Sequence, residues 1–158
     1  MSTTSLVAVL GIWLSIALGG REYARVDAHS LLADSVVIGV FEGRTPCGEP
    51  AAAFTGFPAA NCEKIKWELT LYAAGSSRRP AGYVYRGTRS TREGTWSIGR
   101  GTAADPTAVV YTLHYDAGRT LHLLRADENV LLLLGPDLTL LVGDASWSYT
   151  LSRTDRRK

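Results

Sequence analysis

Ile65-Lys66-Trp67-Glu68-Leu69-Thr70-Leu71-Tyr72 alternates apolar and polar side chains along its whole length. Successive side chains of a strand point to opposite faces, so Ile65, Trp67, Leu69 and Leu71 line a dry face. Lys66, Glu68, Thr70 and Tyr72 line a wet one. A period of two with one solvated face belongs to an antiparallel sheet. The pattern recurs on both sides of this stretch. Ser35–Gly43 precedes it, and Gly82–Gly87, Gly94–Ile98, Ala108–Tyr115, Thr120–Leu124, Val130–Leu134, Leu138–Val142 and Trp147–Ser152 follow. Turn residues separate the runs at Ala74-Gly75-Ser76, Gly99-Arg100-Gly101, Asp116-Ala117-Gly118, Asp127-Glu128-Asn129, Gly135-Pro136-Asp137 and Gly143-Asp144. With no helical period between them, short evenly spaced strands predict an all-β chain. The expected architecture is a small antiparallel meander β-barrel, lipocalin-like, of about eight strands. Closure would also remove the open edges that invite aggregation.

The hairpin around Gly118 fixes a register. A two-residue turn would set Leu113 opposite His122 and His114 opposite Leu121, mixing polar with apolar on each face. A three-residue loop, Asp116-Ala117-Gly118, with glycine in the left-handed region, instead pairs Leu113 with Leu121 and Tyr111 with Leu123. That register sorts the faces. It puts His114 opposite Thr120 and Thr112 opposite His122, so the two imidazoles share the outer face as diagonal neighbours, roughly 7 Å apart.

At 158 residues the chain reads as one domain behind an N-terminal extension, and its net charge of +2 gives no bulk argument for nucleic acid. The basic end, Arg153 through Arg156, Arg157 and Lys158, reads as a solvated tail. Leu6–Leu18 is an apolar run that suits a signal-peptide core better than a membrane span, which needs about 20 apolar residues. Small residues at Val26 and Ala28, or at Ala17 and Gly19, offer peptidase sites. Met1–Ser5 carries no Lys or Arg, which keeps an uncleaved anchor as the alternative. Residues 1–28 are therefore expected to be a signal peptide or anchor and 29–158 the barrel, in the periplasm or cell envelope. Any membrane contact is expected only through the N-terminal segment.

Export makes a disulfide the expected state of Cys47 and Cys62, the only cysteines. Between them lies a Pro/Ala/Gly-rich loop, Gly48–Asn61, that reads as too loose to be held by its own packing. As a redox motif the pair is poor, because catalytic dithiols usually have two intervening residues.

No nucleophile–base–orienter set, metalloprotease motif or phosphate-cradling glycine loop is present, so a non-enzymatic role is expected. His114 and His122 are the best metal-ligand candidates, although two imidazoles need a third ligand and Met1 is the only methionine. His29 lies near the processing site. Trp67, Trp96 and Trp147 read as strand residues of the core, and Trp67, Trp96 and Tyr111 are candidates to line a ligand lumen.

The ordered motifs Gly39-Val40-Phe41-Glu42-Gly43-Arg44-Thr45-Pro46-Cys47, Asn61-Cys62 leading into Ile65–Tyr72, Gly94-Thr95-Trp96-Ser97-Ile98 and Trp147-Ser148-Tyr149-Thr150-Leu151 resemble the N-terminal domain of the copper-resistance lipoprotein NlpE and its relatives. The resemblance covers roughly Val36 to Arg153. It implies a lipocalin-like envelope barrel associated with copper tolerance and envelope-stress signalling; no cofactor is expected, and copper is the one candidate. The family's Cys-x-x-Cys is here opened into the long Cys47…Cys62 loop, which argues against a compact thiolate copper site. No cysteine adjoins the apolar run, so the chain as written is expected not to be lipidated, and no counterpart of the founding member's second domain is expected. The expected function is a binding or sensing module in copper or envelope-stress homeostasis, with an envelope partner or small ligand. The alternative is a lipocalin-like carrier of a small apolar ligand.

Overall fold

A computed structural model describes residues 34–57, 60 and 62–155. The expected signal or anchor, 1–28, and His29 lie outside the described residues. The strands are β1 (Ser35–Thr45), β2 (Ile65–Ala74), β3 (Pro80–Arg86), β4 (Thr91–Arg100), β5 (Val109–Tyr115), β6 (Arg119–Arg125), β7 (Val130–Leu133) and β8 (Thr150–Arg153), with one short helix, α1 (Ala51–Thr55). Each strand pairs with the next, and β8 returns to β1, closing an antiparallel barrel.

The dry face of β2 is as its alternation dictates, with Ile65, Trp67, Leu69, Leu71 and Ala73 buried in the lumen; on the other face Lys66 is exposed and Glu68 and Tyr72 are half-buried, but Thr70, expected to be wet, is buried. Across the hairpin, Leu113 pairs with Leu121, Tyr111 with Leu123, His114 with Thr120 and Thr112 with His122. Gly118 takes φ +86° there, so the three-residue loop and its left-handed glycine are present as expected. The barrel closes over a narrow seam, Phe41–Gly43 against Leu151–Arg153. A Cβ on Gly43 would stand 2.5 Å from the Thr150 carbonyl oxygen. Only a glycine lets the two backbones approach that closely.

Three expectations need correction. Leu138–Val142 is not a strand; only an isolated bridge joins Leu134 to Leu140. The Asp137 carboxylate captures the Thr139 backbone N–H (3.3 Å) and hydroxyl (2.7 Å), and Leu138 is held at φ 62°. That local turn outcompetes a ladder. The last strand begins at Thr150 rather than Trp147, because Asp144 accepts the N–H groups of both Ser146 and Trp147 at 2.8 Å. Trp147 therefore sits in a loop, half-buried, with Lys64 over its ring at 4.9 Å.

The third correction concerns the segment between the cysteines, which carries its own packing. Helix α1 puts Ala51 and Phe54 in the core, both completely buried. Phe54 stacks on Trp67 with centroids 5.5 Å apart and meets Tyr85 and Tyr115 edge-on at 5.3 and 4.9 Å. The helix is thus a plug in one end of the barrel. Cys47 and Cys62 lie at disulfide-bonding distance at its base, with Cα atoms 5.9 Å apart.

Candidate ligand site at the barrel mouth

The end opposite the plug is open. β1, β3, β5 and β7 start there and β2, β4, β6 and β8 finish there. Its floor is Ile38, Phe41, Leu71, Tyr111 and Leu131, and its rim is charged by Arg78, Arg125, Asp127, Glu128 and Arg153, enclosing about 290 Å³. Arg125 and Arg153 reach this rim for a reason visible in the register. Arg125 follows Leu123 by two residues and pairs with Leu131. Arg153 follows Leu151 by two and pairs with Phe41. Both occupy inward positions one step beyond the core leucines, where the lumen meets water.

Arg153 is fixed in place. Its Nε and Nη2 donate to the Asp155 carboxylate at 2.5 and 2.8 Å, and Nη2 also donates to the Ile38 carbonyl at 2.6 Å. The guanidinium lies over the Phe41 ring, 5.9 Å from its centroid. Hydrogen bonding from Arg153 holds the Asp155 carboxyl below the usual carboxylate range. Asp127 accepts the Asn129 N–H at 2.6 Å. Arg78 and Arg125, in contrast, have no side-chain hydrogen bond or ion pair among the described residues. The mouth therefore offers an apolar floor, one anchored guanidinium and two uncommitted ones.

Of the lumen candidates, only Tyr111 reaches this cavity. Trp67 and Trp96 are core residues. The Trp67 indole N–H donates to the buried Thr45 hydroxyl at 2.9 Å, and that of Trp96 donates to the Tyr72 carbonyl at 2.7 Å. Tyr83 and Tyr85 fill the space beside them, and burial raises the pKa of both phenols. The deep lumen is filled with the side chains of Phe54, Trp67, Tyr83, Tyr85 and Trp96, so inside the barrel the room for a ligand lies toward the mouth. A second hollow of about 570 Å³ lies on the outer wall among Ala103, Ala104, Leu124, Leu138 and Leu140, with Arg125 at its border.

His114 and His122 share the outer face, and hydroxyl groups already engage them. His114 Nε2 lies 3.0 Å from the Ser97 Oγ; His122 Nδ1 and Nε2 each lie 3.2 Å from the hydroxyls of Thr112 and Thr120. Partial burial, and secondarily the charge of His114, lowers the His122 pKa below its ordinary 6.5. Among the described residues, no group of three His, Cys, Asp or Glu side chains is placed to hold a metal ion. Nor is any helix there long and apolar enough to cross a membrane.

The sequence reading missed Phe54, Arg78, Arg125 and Arg153. For Arg125 and Arg153 a signal existed, a basic residue at an inward position where a strand ends. No protein-family model matches the chain, and no curated protein or solved structure is significantly similar to it.

Proposed function

We propose that this chain is a non-enzymatic, exported binding barrel of the NlpE type, whose ligand sits in the mouth opposite the helix plug. The observation that carries this is the cavity of about 290 Å³ with an apolar floor and a charged rim of three guanidiniums, Arg78, Arg125 and Arg153, and two carboxylates, Asp127 and Glu128. Ligand sites combine apolar lining with a few convergent polar groups, and this volume suits a small molecule. Its chemistry favours an apolar body with an anionic head: the body rests on Phe41, Leu71 and Leu131, and the head meets Arg78 and Arg125. Copper or envelope-stress homeostasis is the setting the resemblance proposes, with ligand occupancy as the sensed quantity. The closed barrel agrees with the architecture the resemblance implies and bears on that setting no further. Copper held directly by His114 and His122 is less favoured, because both ring nitrogens of His122 already face hydroxyl groups and no third ligand is placed beside the pair among the described residues.

The test is a titration with anilinonaphthalene sulfonate, a small anionic aromatic probe. One-to-one binding is expected, weakened by Arg125→Ala and blocked by Ile38→Trp, which fills the mouth. Near-UV circular dichroism confirms that each variant keeps its packed core. A folded protein that takes up no probe, or binds it equally well in both variants, contradicts the site.

A further inference from the structure

The outer wall of the barrel is apolar in one place where alternation calls for polar residues. Tyr111, Leu123 and Leu131 fill the lumen, so Val110, Leu124 and Leu132 point outward. These three stand in a row, Val110 paired with Leu124 and Leu124 with Leu132. An outward row ordinarily meets water and is polar, as the neighbouring pair Thr112 and His122 is. The apolar row needs a cover, and two connecting segments supply part of it. The chain after β7 turns back along this wall, with Leu134 bridging to Leu140. The β4–β5 loop, 101–108, meets it there: the Ala103 N–H donates to the Leu138 carbonyl at 3.3 Å. Between the two segments a hollow of about 570 Å³ remains, lined chiefly by Ala103, Ala104, Ala108, Leu124, Leu138 and Leu140.

Both sides of the hollow are preset by their own hydrogen bonds. The Thr102 N–H donates to the Asp105 carbonyl at 2.8 Å, and the Asp105 N–H returns to the Thr102 hydroxyl at 3.0 Å. On the facing side the Gly135 N–H donates to the Thr139 carbonyl at 2.9 Å and the Leu138 N–H to the Gly135 carbonyl at 3.0 Å. Leu138 is held at φ 62°, an outlier for so bulky a residue. Such residues persist where the surrounding structure over-determines them, and they concentrate at ligand clamps. The lining also defines what it would accept. Asp105 and Arg125 are its two charged residues and cancel; Arg100 and Asp137, on the flanking segments, are again one of each sign. The Thr139 hydroxyl already donates to Asp137 at 2.7 Å, and the Thr102 hydroxyl to the Asp105 carbonyl at 3.3 Å. The donor left for a ligand is the Arg125 guanidinium, which has no side-chain partner among the described residues.

We propose that this outer-wall hollow is a second binding site, for an uncharged apolar small molecule that carries one hydrogen-bond acceptor. Its volume falls within the range of about 300–1,000 Å³ typical of small-molecule pockets, and a single side chain of a protein partner would leave most of it empty. The ligand's body rests on Leu124, Leu138 and Leu140, and its acceptor takes a hydrogen bond from Arg125. Because the lining is neutral, a charged head gains nothing there, which sets this ligand apart from the one proposed for the mouth. Preset walls spare the cost of ordering the two segments on binding. The inference goes beyond the mouth reading and does not need it, since Arg125 is the one residue that lines both cavities.

The test is a fluorescence titration of the full chain with Nile red, an uncharged fused-ring dye that bears one ring carbonyl. One-to-one binding is expected. Ala104→Trp, which fills the hollow from its lip, and Leu140→Ser, which removes an apolar wall, are each expected to weaken it about tenfold or more. Ile38→Trp, which fills the mouth, leaves it unchanged. Ala104 and Leu140 are both exposed, so neither variant reaches the core, and near-UV circular dichroism verifies that each stays folded. The proposal fails if the folded chain takes up no dye, or if Ala104→Trp and Leu140→Ser bind it as the unaltered chain does. Loss of binding in Ile38→Trp places the dye in the mouth and overturns it as well. So does a dimer in sedimentation that excludes the dye and that Ala104→Trp dissociates, because a second copy then occupies the hollow.

Discussion

Replacing Phe54 by alanine tests the plug most sharply. A five-residue helix has no stability of its own in water, since nucleation alone is unfavourable. Helix α1 must therefore be held by what it buries. Phe54 is fully buried and contacts the rings of Trp67, Tyr83, Tyr85 and Tyr115, with centroids between 4.9 and 6.1 Å. Truncating a buried phenylalanine costs about 3–5 kcal/mol. The upper end applies only if the cavity persists; if the helix undocks instead, the loss is limited to the free energy of docking it. About 3 kcal/mol is the expected value, a large share of the roughly 5–15 kcal/mol that stabilises a domain. With a urea slope of roughly 2 kcal/mol/M, the midpoint falls by about 1.5 M. The assay is urea unfolding of the oxidised protein, followed by near-UV circular dichroism, which also reports the loss of the Trp67 stack. Phe54→Leu, which retains most of the volume, should recover more than half of the loss. A midpoint shift below about 0.3 M for Phe54→Ala, roughly 0.6 kcal/mol at that slope, would refute the plug.

Replacing Cys47 and Cys62 by alanine is expected to cost about 3 kcal/mol, the model value for a closed loop of this size, measured by the same unfolding curves. Thr45→Val strands the buried indole N–H of Trp67 and is expected to cost about 1–3 kcal/mol; combined with Trp67→Phe it should cost less than the two separate losses, as a double-mutant cycle would show. The lowered His122 pKa gives a defined pH dependence. The unfolded chain binds a proton more readily than the folded one, so the contribution is complete above the ordinary value of 6.5 and is lost as pH falls through the folded value. His122→Gln should flatten the slope of stability against pH in that acidic window. Gly118→Ala meets no atom within 4 Å, so its expected cost of about 1 kcal/mol is purely conformational.

Much of the barrel was legible because alternation is a local property. Ile65–Tyr72 reveals its buried face without any knowledge of its neighbours, and sorting faces around Gly118 is enough to set the β5–β6 register. The failures came where one local interaction overruled a pattern. Leu138-Thr139-Leu140-Leu141-Val142 reads as strand by composition, but Asp137 caps a turn there, and Val142 ends 91% exposed. The Ala-rich loop concealed a helix because five residues are too few to show a period, and only tertiary packing around Phe54 makes them helical. At the mouth, Tyr111 was anticipated and the arginines were not. Their role depends on where the filled lumen ends, and that depth is set by how far Phe54, Trp67, Tyr83 and Tyr85 fill the barrel from the opposite side.

The measurement that bears most directly on an exported, stapled binding barrel is native mass spectrometry of the protein recovered from a periplasmic fraction, with and without reductant. The account expects a mass short of the dithiol form by two hydrogens, Cys47 linked to Cys62 in the peptide map, and a small bound mass that disappears in Ile38→Trp. Free thiols on protein found only inside the cell, or a folded, exported chain with no bound mass that Ile38→Trp removes, would contradict it.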